Sequence, residues 1–296
     1  MGAARSALEI LGRKFSRPPS GHDSSQNRAR RSGHRTTLLE RLAIPLTKAA
    51  HYVDLQLTLT EDALRAAAPL ARGRMIDVGC GHRPYDAIFA PFVSEHVGVE
   101  HEAVFAATAA ADHTRGPDVV YDGRTLPFAD ASFDTALCVQ VLEHTPHPAL
   151  LLGEIARVLR PAGILLLQAP FSFRLHEEPH DYFRYSPHGL RVLVTEAGFD
   201  IERITPLGTF WSLMGHKTCS YLALRVARLG GLGQQLGKLA HEGATSERPR
   251  WWTLPVVGAS LVSVATTARW LDHVFPDESE TLGYMLVARR REGNDG

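Results

Sequence analysis

The fold is decided by Arg74–Tyr85, which reads "RMIDVGCGHRPY". Its apolar residues stop at Asp77 and are followed by Gly79 and Gly81, a pattern typical of a buried parallel strand that ends in a tight turn. Glycine has no Cβ atom, so the main chain can turn sharply there and a ligand can lie directly against it. The stretch therefore predicts the first strand of an open sheet with a ligand-binding loop at its carboxyl end.

Further strand-like runs alternate with helical segments along the chain. They are "HVGVE" ending at Glu100, "DVVYD" at Asp122, "FDTALCV" at Val139, "ILLLQA" at Ala169, "DIERI" at Ile204, and "TLGYMLVARR" near the C-terminus. An apolar stripe from Leu151 to Leu159 predicts one helix that stops before Pro161, and Ser186 with Pro187 opens another. Such alternation predicts an α/β fold whose mainly parallel sheet carries helices on both faces.

The remaining chain divides by composition. We predict a disordered basic tail (1–35), N-terminal helices (36–72) with a helix start at Thr60, the core (73–206), a helical insert (207–280), the last strand (281–290) and a C-terminal tail (291–296). The tail holds eight Arg and Lys residues against Glu9 and Asp23.

The insert contains an uncharged window, Trp251–Ala268, that could be mistaken for a membrane span. Its apolar residues are too few, and it includes Pro255 and Gly258, whereas a span needs about 20 mostly apolar residues. The insert is therefore interpreted as a lid or a homodimer element. Contact with a membrane surface, aided by Trp251, Trp252 and the basic tail, is the weaker alternative.

Overall composition excludes some classes of protein. Lys plus Arg and Asp plus Glu both number 32 among 296 residues, so net charge gives no argument for nucleic acid, and we expect none as a partner. The three cysteines, Cys80, Cys138 and Cys219, lack metal-knuckle spacing and an even count. A cytoplasmic location is expected, with peripheral membrane contact as the alternative.

The residues after the first strand narrow the ligand class. A Gly-x-Gly pair by itself also suits plain turns and nicotinamide or flavin sites. Pro84 occupies the place of the third glycine of a dinucleotide fingerprint, which disfavours a nicotinamide oxidoreductase. Glu100 follows at the end of the second strand, where a carboxylate can accept hydrogen bonds from both hydroxyls of a ribose. A nucleoside without phosphates is favoured.

Six segments in order carry a family resemblance. They are "MIDVGCG", "HVGVE", "YDGRTLPFADASFD", "CVQVLEHTPHP", "LLGEIARVLRPAG" and "HEEPHDYFRYSPHGL". Together they resemble the class I S-adenosylmethionine-dependent methyltransferases of the type 11 group. The resemblance implies a Rossmann-like, seven-stranded sheet, methyltransferase activity and S-adenosylmethionine as cofactor.

The resemblance also implies roles for individual residues. Those at the cofactor are Asp77, Gly79, Cys80 and Gly81 at the methionine end, Glu100 at the ribose, Asp122 with Gly123 at the adenine amine, and Val139 with Gln140 beside the sulfonium. Structural alternatives stay open, since Asp122 could only cap a turn and Asp77 could only brace the glycine loop.

The acceptor is less clearly indicated. The chain lacks the [DN]-P-P-[FYW] motif after the fourth strand and reads "VQVLEH" there, which argues against methylation of an exocyclic base amine. The resemblance points to a small-molecule, glycan or lipid-linked acceptor, modified at an oxygen. The alternative function is a non-catalytic, methyltransferase-like scaffold that binds a partner through the insert.

Candidate acid and base groups follow strands four and five: His144, His176, His180, Asp181, Tyr182, Arg184 and Tyr185. We favour His180 as general base, oriented by Asp181 and Tyr182, with His144 as the second candidate. A structural loop is the alternative. Because Pro179 interrupts the His176–His180 spacing, a helical pair of metal ligands is disfavoured, and no metal is expected.

Overall fold

A computed structural model describes residues 48–108, 116–223 and 254–292. The predicted basic tail, residues 36–47 of the predicted N-terminal helices, and Trp251 and Trp252 lie outside the described residues. So do residues 293–296 of the C-terminal tail.

Seven strands form one sheet. They are β1 (Arg74–Val78), β2 (Glu95–His101), β3 (Val119–Tyr121), β4 (Phe133–Val139), β5 (Leu159–Pro170), β6 (Phe199–Pro206) and β7 (Gly283–Arg290). Their order across the sheet is β3-β2-β1-β4-β5-β7-β6, and only β7 among them runs antiparallel to its neighbours. The predicted Rossmann-like, mainly parallel sheet is confirmed. The winding reverses between β1 and β4, which places a ligand crevice beyond their carboxyl ends.

Besides a helical stretch at residues 48–53, seven α-helices accompany the sheet in the described residues: α1 (Leu55–Ala67), α2 (Asp86–Phe89), α3 (Glu102–Thr108), α4 (Pro148–Val158), α5 (Pro187–Glu196), α6 (Phe210–Tyr221) and α7 (Leu254–Val274). Two short 3-10 turns cover Ala68–Leu70 and Leu142–His144. The helix predicted up to Leu159 ends one residue earlier, because Leu159 is already extended and begins β5. The predicted helix start at Thr60 is wrong: Asp54 caps α1 by accepting from the Leu57 N–H at 3.0 Å.

Helices cover both faces of the sheet, so its strands are apolar on both sides. On one face, Leu152 of α4 and Leu190 of α5 pack against Ile76 of β1 and its neighbours. On the other face, Leu64 of α1 and Phe89 of α2 pack against the strand side that carries Met75 and Leu137. Adjacent residues of β1 thus belong to different cores, and its end is held firmly from both sides.

The helices of the insert, α6 and α7, lie against each other and against α1 and Tyr52. A Cβ atom on Gly215 would stand 2.5 Å from that of Ala268, so the two helices approach closely. Asp272 of α7 accepts from the Ser212 N–H at 3.0 Å and from the hydroxyls of Thr209 and Ser212. Arg269 lies 4.2 Å above the ring of Tyr52.

Among the described helices, α7 included, none combines the length and apolar character required to cross a membrane.

Candidate functional site

The loop after β1, residues 79–85, is called the glycine loop below. Its backbone is left-handed at Gly79 (φ 72°) and Gly81 (φ 52°). The N–H groups of Gly79 and Cys80 both donate to the Val99 carbonyl of β2, at 2.8 and 3.1 Å. A Cβ atom on Gly79 would lie 2.3 Å from Val141 Cγ2, so only glycine fits against the segment that follows β4. The loops after β1 and β4 are therefore in direct contact.

Arg83 fixes the position of this loop through buried hydrogen bonds. Its side chain is fully buried and donates to Asp86 at 3.0 Å, to the His96 carbonyl at 2.7 Å, and to Asp118. These contacts join the glycine loop to β2 and to the segment before β3. This role could not be predicted from the sequence, because an Arg in a loop normally faces solvent.

A cavity of about 300 Å³ opens above the loop. It is lined by Asp77, Gly79, Cys80, Gly81, His82, Pro84, Tyr85 and Val139. Five of the predicted cofactor residues are thus brought together. Neither Lys nor Arg occurs among these lining residues, so the cavity suits a nucleoside better than a phosphate-bearing dinucleotide.

Asp77 lies at the base of the cavity and is almost fully buried. Burial raises the pKa of its carboxyl group, and the His96 imidazole, with Nε2 3.3 Å from Oδ2, partly offsets that rise. Because Asp77 is fixed by His96 and also faces the cavity, it can both brace the loop and bind a ligand.

Glu100 is not among the lining residues, yet it is bound directly to the glycine loop. Its Oε2 accepts from the Gly81 N–H at 2.8 Å, and its Oε1 accepts from the His101 N–H at 2.8 Å. Burial raises the pKa of the carboxyl group, while these two N–H donors lower it. Each oxygen keeps a further lone pair, so the carboxylate can still accept from two ribose hydroxyls.

Asp122, Gly123 and Gln140 also lie outside the cavity lining. Asp122 is a turn cap: its Oδ1 accepts from the Arg124 and Thr125 N–H groups at 2.9 and 3.2 Å, which lowers its pKa. Its second oxygen remains available to a ligand amine. Gln140 follows Val139 in a left-handed conformation (φ 57°).

The segment after β5, residues 171–186, is called the acceptor loop. Asp181 of this loop is nearly fully buried and accepts from Arg184 at 2.6 and 2.8 Å and from the His176 N–H at 2.9 Å. These bonds hold the pKa of Asp181 well below its usual range, chiefly through Arg184. The prediction that Asp181 orients His180 is not supported, because its carboxylate bonds to Arg184 and His176. Tyr182 does contact His180, with its hydroxyl 3.0 Å from Nδ1.

His144 meets the acceptor loop on its other side. Its Nδ1 lies 2.9 Å from the His180 carbonyl, and its Nε2 lies 3.0 Å from Nε2 of His176. Burial, and then the neighbouring His144, lowers the pKa of His176. The two predicted base candidates thus differ: the ring of His144 is half-buried between loops, whereas His180 is exposed.

Glu143 is the residue that sequence reasoning missed. Its side chain is fully buried, and neither of its oxygens has a hydrogen-bond partner among the described residues. Burial raises its pKa to about 8. A charged residue inside the apolar run "VQVLEH", directly after a buried strand, is the signal that could have found it.

S-adenosylmethionine fits the observed arrangement. Its ribose hydroxyls and adenine amine are donors, and Glu100 and Asp122 present acceptor oxygens. Its cationic sulfonium suits a site with the buried carboxyl group of Asp77 and no lining Lys or Arg.

Comparison with known proteins agrees with this assignment. A family model described as a methyltransferase domain matches residues 76–167. An uncharacterized methyltransferase of Mycobacterium sp. (strain JLS) is 37% identical over 111 residues, which cover 37% of this chain and 44% of that protein. One from Mycobacterium marinum (strain ATCC BAA-535 / M) is 38% identical over 114 residues, covering 37% and 45%. The matched region is thus less than half of the length of either relative.

Among solved structures, a protein described as the [4+2]-cyclase SpnF matches with a TM-score of 0.50 and 19% identity, over 80% of this chain and 82% of its own. That likeness shows the fold alone. The family match and the mycobacterial relatives confirm the resemblance found in the motifs. Residues 76–167 are therefore a class I S-adenosylmethionine-dependent methyltransferase domain of the type 11 group.

Proposed function

We propose that the whole chain transfers a methyl group from S-adenosylmethionine to an oxygen of a small-molecule, glycan or lipid-linked acceptor. One observation carries the proposal. The Glu100 carboxylate is held against the Gly81 N–H at the carboxyl edge of the sheet, beside a cavity lined by the glycine loop. That arrangement supplies the acceptors a nucleoside cofactor requires, at the place where an open α/β sheet binds its ligand.

Methyl transfer from a sulfonium is an in-line displacement, so the protein mainly aligns the two reactants. When bound, the cofactor supplies the activated methyl group. Glu100 and the glycine loop hold its nucleoside, and Val139 forms part of the wall beside them. Contact between Gly79 and Val141 ties that wall to the turn that carries His144, so the cofactor and acceptor sides are joined through one short segment.

An oxygen acceptor has to lose a proton as the methyl arrives. We assign this step to His180, whose exposed ring can reach a substrate and whose Nδ1 lies 3.0 Å from the Tyr182 hydroxyl. This role requires that Nδ1 donates its hydrogen to the tyrosine oxygen, because Nε2 then has a free lone pair for the proton. In the opposite tautomer, the tyrosine donates to Nδ1, Nε2 carries the hydrogen, and Nε2 cannot act as the base.

The insert supports an acceptor site at this loop. The ring of Phe173 lies 5.3 Å from that of His216 in α6 and 4.9 Å from that of His176. α6 therefore borders the acceptor loop, and we propose that the insert forms one wall of the acceptor site. This is the lid interpretation of residues 207–280, with a homodimer element as the alternative.

The test has two stages. Calorimetric titration of the full chain with S-adenosylmethionine and, separately, with NAD is expected to show binding of the former alone. A methyl-transfer screen over glycans, lipid-linked sugars and small hydroxylated molecules should then yield an oxygen-methylated product. A folded chain that binds NAD instead would contradict the proposal. Binding of S-adenosylmethionine without transfer to any acceptor would favour the scaffold alternative.

A further inference from the structure

We infer that Glu143, His144 and His176 form a binding site for a divalent transition-metal ion of the zinc class. Their ligand atoms all lie within 4.8 Å of one another. Two imidazole nitrogens and one carboxylate oxygen are the donor set of many zinc sites with an open position. The inference is independent of methyl transfer, and it revises the expectation of no metal, which considered His176 with His180.

The tautomers of the two imidazoles can be assigned from their neighbours. Nδ1 of His144 faces the carbonyl oxygen of His180 at 2.9 Å, and a carbonyl can only accept. Nδ1 of His176 faces the Arg174 carbonyl and Oδ2 of Asp181, both at 3.2 Å. Each Nδ1 therefore carries a hydrogen and donates it. Hydrogen bonds of this kind fix the ring orientation of metal-binding histidines in other proteins.

With both Nδ1 atoms protonated, the two Nε2 atoms carry lone pairs. These atoms face each other at 3.0 Å, where two lone pairs would repel unless a cation lies between them. Two nitrogen ligands on a tetrahedral zinc ion, with bonds of about 2.0–2.1 Å, stand roughly 3.3 Å apart. The observed separation needs only a small rotation of either ring to reach that value.

Glu143 supplies a second, independent observation. Its side chain is fully buried and its oxygens have no hydrogen-bond partner among the described residues. Its Oε1 lies 3.9 Å from His144 Nε2, too far for a hydrogen bond but close enough for both atoms to bind one ion. A buried carboxylate without a partner is costly, and a bound cation would remove that cost.

A proton on one of the two imidazoles is the competing explanation. An imidazolium at His144 would also satisfy the lone pair of His176, and the exposed carboxylate of Glu177 approaches His144 Nε2 to 3.8 Å. That alternative leaves Glu143 without a direct partner, since 3.9 Å exceeds hydrogen-bond length. The metal accounts for all three side chains at once.

The test is metal binding by the full, tag-free chain after treatment with a chelator. Titration with Zn²⁺ is expected to show one tight equivalent, and Co²⁺ should give the visible absorption of a low-coordinate nitrogen and oxygen site. Glu143→Gln preserves size and removes one ligand, and His176→Gln removes another. Each is expected to lower Zn²⁺ affinity by at least about tenfold and to change the Co²⁺ spectrum.

The control is His188→Ala, which removes an exposed histidine outside the cluster. It is needed because the chain has 15 histidines, any of which could bind zinc weakly. This variant should bind like the parent. Absence of a tight equivalent in the parent chain, or equal Zn²⁺ affinity in the parent and Glu143→Gln, would overturn the inference, and the proton explanation would then stand.

Discussion

The glycine loop and the acceptor loop are built in different ways. The glycine loop is held mainly by β2 and the segments beside it: Gly81 bonds to Glu100, 19 residues on, and Arg83 bonds to Asp86 and Asp118, three and 35 residues on. The acceptor loop combines an ion pair of its own, between Asp181 and Arg184, with a bond from the turn after β4, where His144 reaches the His180 carbonyl 36 residues away. The cofactor end thus depends on the strand next to β1, whereas the acceptor end depends on the loop's own ion pair and on the turn after β4.

The two loops should therefore respond differently to mutation. Changes in the acceptor loop should reduce turnover while cofactor binding persists, and changes in the glycine loop should reduce cofactor binding or stability first.

The largest effect is expected for His180→Ala. If His180 removes the acceptor proton, turnover on the acceptor found by the screen should fall by about a hundredfold to ten-thousandfold. Affinity for S-adenosylmethionine should not change, because the hydrogen bonds of His180 go to Glu177, Tyr182 and His144, none of which is assigned to the cofactor. Steady-state kinetics and calorimetry measure the two quantities, with His188→Ala as the exposed-histidine control. Near-normal turnover in His180→Ala would mean that alignment alone drives the reaction.

The same comparison shows how far the sequence could predict the molecule. The ends of β1 and β3 were predicted well because an apolar run is followed there by Gly79 and by Asp122. The lining of the cavity by Asp77, Gly79, Cys80 and Gly81 follows from that pattern. The partners of Asp181 could not be predicted, since His180 and Arg184 are both close in sequence and only the loop's path selects Arg184.

The burial of two charged side chains was not predicted either. Arg83 and Glu143 are charged residues in loops, where solvent exposure is the ordinary expectation. Both prove to be fully buried side chains, one with three partners and the other without a hydrogen-bond partner among the described residues. The partners of Arg83 come from α2, β2 and the segment before β3, which no local pattern reveals, whereas the apolar neighbours of Glu143 are a local signal that points to its burial.

The next effect concerns the stability of the glycine loop. Gly79→Ala should lower the free energy of unfolding by roughly 2 to 4 kcal/mol, through a left-handed backbone and overlap with the stiff side chain of Val141. Gly81→Ala is the matched control, because its backbone is also left-handed but a Cβ atom there meets nothing within 4 Å. It should lose about 1 to 2 kcal/mol. Urea denaturation gives both values, and equal losses would contradict the Val141 contact.

A smaller effect is expected for Glu100→Gln, measured on cofactor affinity. The amide keeps the shape of the side chain but loses the charge, and one of its ends would place an N–H against the Gly81 or His101 N–H. Binding of S-adenosylmethionine should weaken by about 1.5 to 3 kcal/mol, the range for hydrogen bonds to a charged group. Glu102→Gln, an exposed neighbour in α3, should bind normally in calorimetry. Unchanged affinity in folded Glu100→Gln would remove Glu100 from the site.

The smallest effect tests whether Asp122 only caps its turn. Asp122→Asn can keep the acceptor oxygen that receives the Arg124 and Thr125 N–H groups, but it replaces the second oxygen by an amide NH2 group, which can only donate. If that second oxygen binds the adenine amine, affinity for S-adenosylhomocysteine should fall roughly fivefold, since an exposed hydrogen bond contributes modestly. S-inosylhomocysteine, with an oxygen in place of the amine, should lose no affinity. Equal affinities of the parent and the variant for both compounds would leave Asp122 as a turn cap alone, and the adenine would then be recognised elsewhere along the crevice.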